Sequence, residues 1–163
     1  MEDNLELLKE LTKNLPRFED GRIDYSNSDV AVAATCFVKY EDDLLLLKRS
    51  SRVREGKGKW CAVTGYFDEI KPVREKAIEE LEEEIGISRS HISRIRVGEV
   101  YKLKKAGGRL LVIYPVLVEL KNKPDITLDW EHTEYKWIKP EELEKFDVLP
   151  ELDKVLRRIL DIT

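Results

Sequence analysis

The chain has 163 residues, enough for one domain with a sizeable core. Its net charge of −4 comes from 29 basic and 33 acidic residues, well interspersed, which leaves no polybasic footprint for duplex nucleic acid. No apolar run reaches transmembrane length and the N-terminus lacks a basic-then-apolar signal pattern, so a cytoplasmic protein without a membrane partner is expected. There is no Gln and one Met, in a chain that is 38% charged. That balance is the one found in thermophile proteins, where thermolabile residues are scarce and ion pairs abundant.

Taken in chain order, Glu2 to Leu15 is expected to be helical, with Leu5, Leu8, Leu11 and Leu15 on one stripe and Pro16 as its stop. Arg17 to Asp29 reads as a connector with one short strand at Arg22–Tyr25. Val30 to Tyr40 is dense in β-branched and aromatic residues, hence a buried strand, and Leu44 to Lys48 returns from a turn at Glu41-Asp42-Asp43. Arg49 to Lys59 is a polar, glycine-containing loop with five basic residues, and Trp60 to Thr64 is a short strand.

The next stretch, Gly65 to Ile87, organises the rest. A loop runs into a helix, with Pro72 at the first turn and Gly86 just past the end. Val73, Ala77, Leu81 and Ile85 recur every four residues and face a core. Glu80, Glu83 and Glu84, at i, i+3 and i+4, project to one side, where three like charges repel unless a cation neutralises them. Magnesium prefers such oxygen donors, and a loop at a helix N-terminus favours phosphate.

Beyond it, Ile95 to Leu103 is expected as one strand, followed by a Gly107-Gly108 turn. Leu110 to Leu120 is a long apolar strand whose Pro115 suggests an edge or a bulge. A strand over Tyr135 to Ile138, a short helix over Glu141 to Phe146 and a longer one over Leu149 to Leu160 complete the chain. Cys36 and Cys61 lie in apolar runs and are expected to be small buried residues without a disulfide. His91 and His132 lack partners at zinc spacing and are expected at the surface.

The Gly65–Ile87 stretch resembles the Nudix box, G-x5-E-x7-R-E-U-x-E-E-x-G-U with U aliphatic. Seven of its nine specified positions match without gaps: Gly65, Glu80, Leu81, Glu83, Glu84, Gly86 and Ile87. Lys71 stands where the family has Glu, and Glu79 where it has Arg. Both reverse a charge, in opposite senses, so a Lys71–Glu79 structural pair with its ends exchanged is expected. The resemblance implies an α/β fold, a Nudix-type α/β/α sandwich with a mixed β-sheet between helices. It covers about residues 30–163, with residues 1–29 as an N-terminal helix and connector.

The resemblance also implies hydrolysis of a nucleoside diphosphate linked to another group X, a small nucleotide-derived substrate. Glu80, Glu83 and Glu84, with the Thr64 carbonyl, are the implied metal ligands for Mg2+, with Mn2+ able to substitute. The general base is either a box glutamate or a late-loop acid, Glu131 or Glu134, of which Glu134 is preferred. Arg49, Arg54 and Lys57 or Lys59 are candidates for phosphate or the X group, and Trp60, Trp130 and Trp137 for stacking the substrate's base. Trp60 and Trp137 are expected in the core or the pocket wall, with Trp60 retained as the substrate-binding residue. Arg49-Ser50, Arg54, Gly58 and Gly65 echo part of a coenzyme A pyrophosphatase signature, but Ala62-Val63-Thr64 replaces its Phe-Pro-Gly. A catalytically weakened nucleotide-binding module is the alternative that Lys71 and Glu79 raise. Isomerase chemistry on the same fold would need a catalytic cysteine and a histidine set that Cys61 and His91 do not obviously supply. Whether the protein is a monomer or a homodimer stays open.

Overall fold

The structure is a computed structural model that describes residues 5–105 and 107–160. Among them, eight strands form one mixed sheet. The two longest, β1 (Val30–Tyr40) and β7 (Leu110–Leu120), lie parallel at its centre, in register from Val30↔Leu110 to Lys39↔Glu119. On one side, β1 continues to β2 (Asp43–Arg49) through a tight turn in which Glu41 takes a left-handed conformation. β2 then pairs with β3 (Trp60–Cys61) and β8 (His132–Ile138). The expected single strand at Trp60–Thr64 is divided: β3 pairs with β2, while β4 (Val63–Tyr66) crosses to pair with β1.

On the other side, β7 pairs with β5 (Ile92–Val97) and β6 (Tyr101–Lys104), where one strand was expected. The interruption explains Pro115, which lies in a central strand and not at an edge. The Pro115 carbonyl accepts the Gly98 N–H at 2.8 Å, between the two short strands. A residue's N and O point to the same side of a strand, so the missing proline N–H falls at the break and costs the β1 ladder nothing.

Helices cover both faces. α2 (Val73–Ile85) lays Val73, Ala77, Leu81 and Ile85 on Val32, Ala34, Cys36 and Val38 of β1. Leu8 of α1 (Leu5–Thr12) is fully buried in the same cluster; Glu2 to Asn4, the expected start of this helix, lie outside the described residues. Against the opposite face, Leu152, Val155, Leu156 and Ile159 of α3 (Leu152–Leu160) pack on Phe37, Leu46, Ile113 and Leu117. This is the α/β/α arrangement. Between β8 and α3 a 3-10 helix spans Pro140–Lys145. The expected strand at Arg22–Tyr25 is only an isolated Arg17↔Ile23 bridge, although Ile23 N–H and Tyr25 Oη tie the connector to the carbonyls of Asp68 and Phe67. No helix among the described residues is long and apolar enough to cross a membrane.

Candidate active site

A cleft of about 1300 Å³ opens where the end of β4, the Arg49–Lys59 loop, the Lys76–Glu80–Glu84 face of α2 and the turn bearing Trp130 and Glu131 meet. Gly65 forms part of its wall. A Cβ there would lie 2.3 Å from Cδ of Glu80, so only glycine lets that carboxyl lie against the backbone. Pro72 precedes the first turn of α2, and Gly86, at φ 72°, ends the helix with its N–H on the Leu81 carbonyl. The ends set the helix's extent, and its apolar stripe sets its rotation: Val73, Ala77, Leu81 and Ile85 meet the core, leaving Lys76, Glu80 and Glu84 to line the cleft.

Glu80 and Glu84 line the cleft and are 8% and 4% exposed. Burial, then the adjoining Glu80 carboxyl, raises Glu84 far above the ordinary carboxylate range. Glu83 is exposed and stands outside the cleft wall; partial burial, then Glu80 and Glu79, raises it too. Two buried carboxyls side by side cannot both carry charge without a compensating cation. Their donor type, hard oxygen with the Thr64 carbonyl nearby on β4, fits a hard divalent ion. Yet among the described residues no three His, Cys, Asp or Glu side chains converge to hold one.

The positive charge that meets Glu80 belongs to Lys76, a residue that sequence reasoning missed. Its ammonium lies 3.0 Å from Glu80 Oε2, 3.2 Å from Glu79 Oε1 and 3.8 Å from Asp68 Oδ1. Burial opposes its charge, but Glu80 and Glu79 together keep it protonated above the usual lysine range. The other flank of Glu79 meets Lys71, whose Nζ donates to Glu79 Oε2 at 3.0 Å and lies 3.2 Å from Glu69. Burial raises Glu79, but the two lysines more than offset it and hold the carboxyl below its usual range.

His132 corrects the expectation of a surface histidine: its side chain is 1% exposed. Nδ1–H donates to Asp129 Oδ1 at 2.9 Å, while Nε2 faces Glu84 Oε1 and Cys61 Sγ, each at 3.8 Å. Burial, outweighing Asp129, lowers its pKa and keeps the ring neutral. Asp129 also accepts the Glu131 N–H at 3.2 Å, and the Glu131 carbonyl accepts the Ser50 N–H at 2.7 Å. These bonds aim Glu131 into the cleft, where burial, then Asp129, raises its carboxyl.

Glu134, the preferred late-loop acid, sits instead on β8 opposite Lys48, half exposed and 3.4 Å from that lysine's Nζ. Trp60, expected against substrate, packs edge-on against Phe146 at 5.3 Å in the core beneath α3. Among the tryptophans it is Trp130 that lines the cleft, 54% exposed, with the Arg52 guanidinium 5.7 Å from its ring centre. Arg49, Arg54 and Lys59 line the cleft, and Arg49 Nε donates to the Glu55 carbonyl at 2.9 Å. Cys36 and Cys61 are free and buried, and burial pushes the Cys61 thiol up to about 12, far from a nucleophile. His91 belongs to a 3-10 turn capped by Ser88.

The family model described as the NUDIX domain matches residues 29–159. The chain belongs to the NUDIX family. Membership makes it a Nudix pyrophosphohydrolase, of a family that generally uses divalent metal ions. Solved Nudix structures share the fold at low identity. A Caenorhabditis elegans Ap4A hydrolase binary complex is 24% identical, with 78% of this chain and 93% of that one covered at a TM-score of 0.63. A MutT protein from Methanosarcina mazei Go1 is 21% identical, with 79% and 91% covered at 0.65. A MutT Nudix hydrolase from Burkholderia pseudomallei is 22% identical, with 80% and 98% covered at 0.63. Among curated proteins nothing matches the chain.

Proposed function

We propose that this Nudix protein hydrolyses the diphosphate linkage of a nucleoside diphosphate joined to another group X, with Mg2+ as its working ion and Mn2+ able to substitute. The observation that carries the reading is the pair of adjoining buried carboxyls, Glu84 and Glu80, the latter lying against Gly65, in a cleft that Arg49, Arg54 and Lys59 also line. Glu80, Glu83 and Glu84 with the Thr64 carbonyl would hold the ion. When bound, a hard divalent ion neutralises diphosphate oxygens and acidifies water.

The chain's own groups supply the rest. Arg49 and Arg54 bind the phosphates from the loop opposite, where a guanidinium can grip two oxygens at once. Trp130 offers an open ring on which a base can stack, with Arg52 beside it. Glu131 replaces Glu134 as the late-loop base: it lies in the cleft, and its raised pKa brings it nearer neutrality, where a base works best. Glu131→Gln should lower kcat by about 10²–10⁴ with little change in KM, while Glu134→Gln leaves both near wild type.

The test is a screen of nucleotide sugars, ADP-ribose, dinucleoside polyphosphates, coenzyme A and nucleoside triphosphates, with product identification, with and without chelator. Glu83→Gln or Glu84→Gln should cut hydrolysis by about two orders of magnitude or more while the fold persists. Activity that survives chelation would sink the ion dependence. The composition supports a thermophilic setting; a melting midpoint within about 45–65 °C, the mesophile range, would contradict it.

A further inference from the structure

Lys76 is buried on α2, its side chain 4% exposed, whereas the other ion-paired lysines among the described residues are at least 20% exposed. Placed four residues before Glu80, its stem runs along the helix to bring Nζ within 3.0 Å of Glu80 Oε2. The other side of the same carboxyl lies against Gly65, where Oε1 would be 2.6 Å from an added Cβ. Glu80 is therefore engaged from both sides, and Glu84, equally buried, adjoins it. An ammonium in this place does part of what a divalent ion would do: it offsets the charge of Glu80, Glu79 and Asp68.

We propose that Lys76 is a built-in counter-cation of this acid cluster, holding Glu80 in the ion-free protein and giving it up when a divalent ion binds, so that this residue weakens the site's affinity for its ion. The inference rests on the ion dependence argued above. A lysine acting only as a brace between α2 and the loop bearing Asp68 would stabilise the fold without opposing the ion. A lysine acting only on substrate phosphate would alter KM and leave ion affinity alone.

The experiment measures Mn2+ uptake by the full chain, from the electron paramagnetic resonance of free Mn2+, for wild type, Lys76→Met and Lys76→Arg. Lys76→Met keeps the bulk of the stem and removes the charge. It should bind Mn2+ about tenfold or more tightly, the scale usual for changes beside a metal ligand. Lys76→Arg, which keeps the charge, should stay within a few-fold of wild type. Should Lys76→Met not fold, acetylation of wild-type lysines read by peptide mass carries the test. Lys76 should be protected in chelator and modified severalfold faster in saturating Mn2+, with Lys13 unchanged in both. Equal or weaker Mn2+ binding by Lys76→Met, or equal protection of Lys76 with and without the ion, overturns the proposal. If Lys76→Met shifts only the KM for substrate, the residue is a phosphate ligand and the proposal falls. If neither wild type nor variant takes up Mn2+, the ion dependence itself fails and this inference with it.

Discussion

Glu79 is held between two lysines, and that alters how its pairing with Lys71 can be tested. The resemblance to the Nudix box pointed to positions 71 and 79 as a pair with its charges reversed, and the two side chains do meet at 3.0 Å. Swapping them, Lys71→Glu with Glu79→Arg, would nonetheless set the new guanidinium against Lys76, which also grips Glu79 at 3.2 Å. A cleaner measurement is the double-mutant cycle of Lys71→Met and Glu79→Gln, monitored by denaturant unfolding. Glu79 is 38% exposed, so screening should leave a coupling of only about 0.5–1 kcal/mol. Additive single effects would show that the pair braces nothing. Gly65 was legible too, but its reason was not: the sequence marks a glycine, and the fold shows that a methyl would collide with the Glu80 carboxyl. Gly65→Ala should therefore weaken Mn2+ binding and hydrolysis together, while far-ultraviolet circular dichroism stays native. Lys76 and the buried His132 escaped because nothing local marks them, while Glu131 was named beside Glu134 but ranked below it because spacing does not show which of the two enters the cleft. Lys76 reads as one more solvated charge on a charged helix. His132 is defined by Glu84, distant in sequence, and by burial that no spacing reveals.

At the scale of elements, periodicity located the long pieces well and connections poorly. The four-residue stripe of α2 and the apolar runs of β1 and β7 each bury one continuous surface, so the pattern is written in the side chains. The division into β3 and β4, and into β5 and β6, depends on which neighbour a backbone finds, and single-chain patterns do not encode it. Pro115 misled because a proline signals a missing donor, not the reason it can be missing. α1 raises a sharper question, since the sequence set residues 1–29 apart from the rest. Leu8 is 0% exposed and packs with the α2 stripe, while Thr12 Oγ1 donates back to the Leu8 carbonyl at 2.8 Å. We therefore expect Leu8→Ala to destabilise the whole protein by about 2–5 kcal/mol, as for other buried leucines. At about 2–4 °C per kcal/mol the melting midpoint should fall by roughly 4–20 °C in one transition. An unchanged midpoint would show that α1 is an appendage which contributes nothing to the sandwich.

The cleft is a property of the whole molecule, which is why its membership was only partly legible. The box glutamates come from one helix, but the basic wall comes from the loop after β2, and Glu131 and Trp130 from the turn before β8. Only the folded chain brings them together, so folding and ion binding should be linked. Glu84 makes the link measurable in two directions. Its carboxyl titrates higher in the folded protein than the ordinary 4.5, because burial and Glu80 disfavour the charged form. The folded state then holds that proton more tightly than the unfolded chain, so this contribution is complete below about pH 4.5 and is lost as pH rises above it. In chelator, the wild-type midpoint should fall between pH 5 and pH 8, and Glu84→Gln, which has no proton to lose there, should fall less and melt higher at pH 8. Added Mg2+ should reverse the order. An ion at a hundred times its dissociation constant contributes about 2.7 kcal/mol, or about 5–11 °C for a chain of this length. Wild type should gain that increment, and Glu84→Gln, deprived of a charged ligand, should gain little. The crossing of the two midpoints is what ties the buried carboxyl to the ion. If Glu84→Gln melted lower than wild type in chelator, the carboxyl would be stabilising the fold through its own contacts, and the repulsion that calls for a cation would not exist.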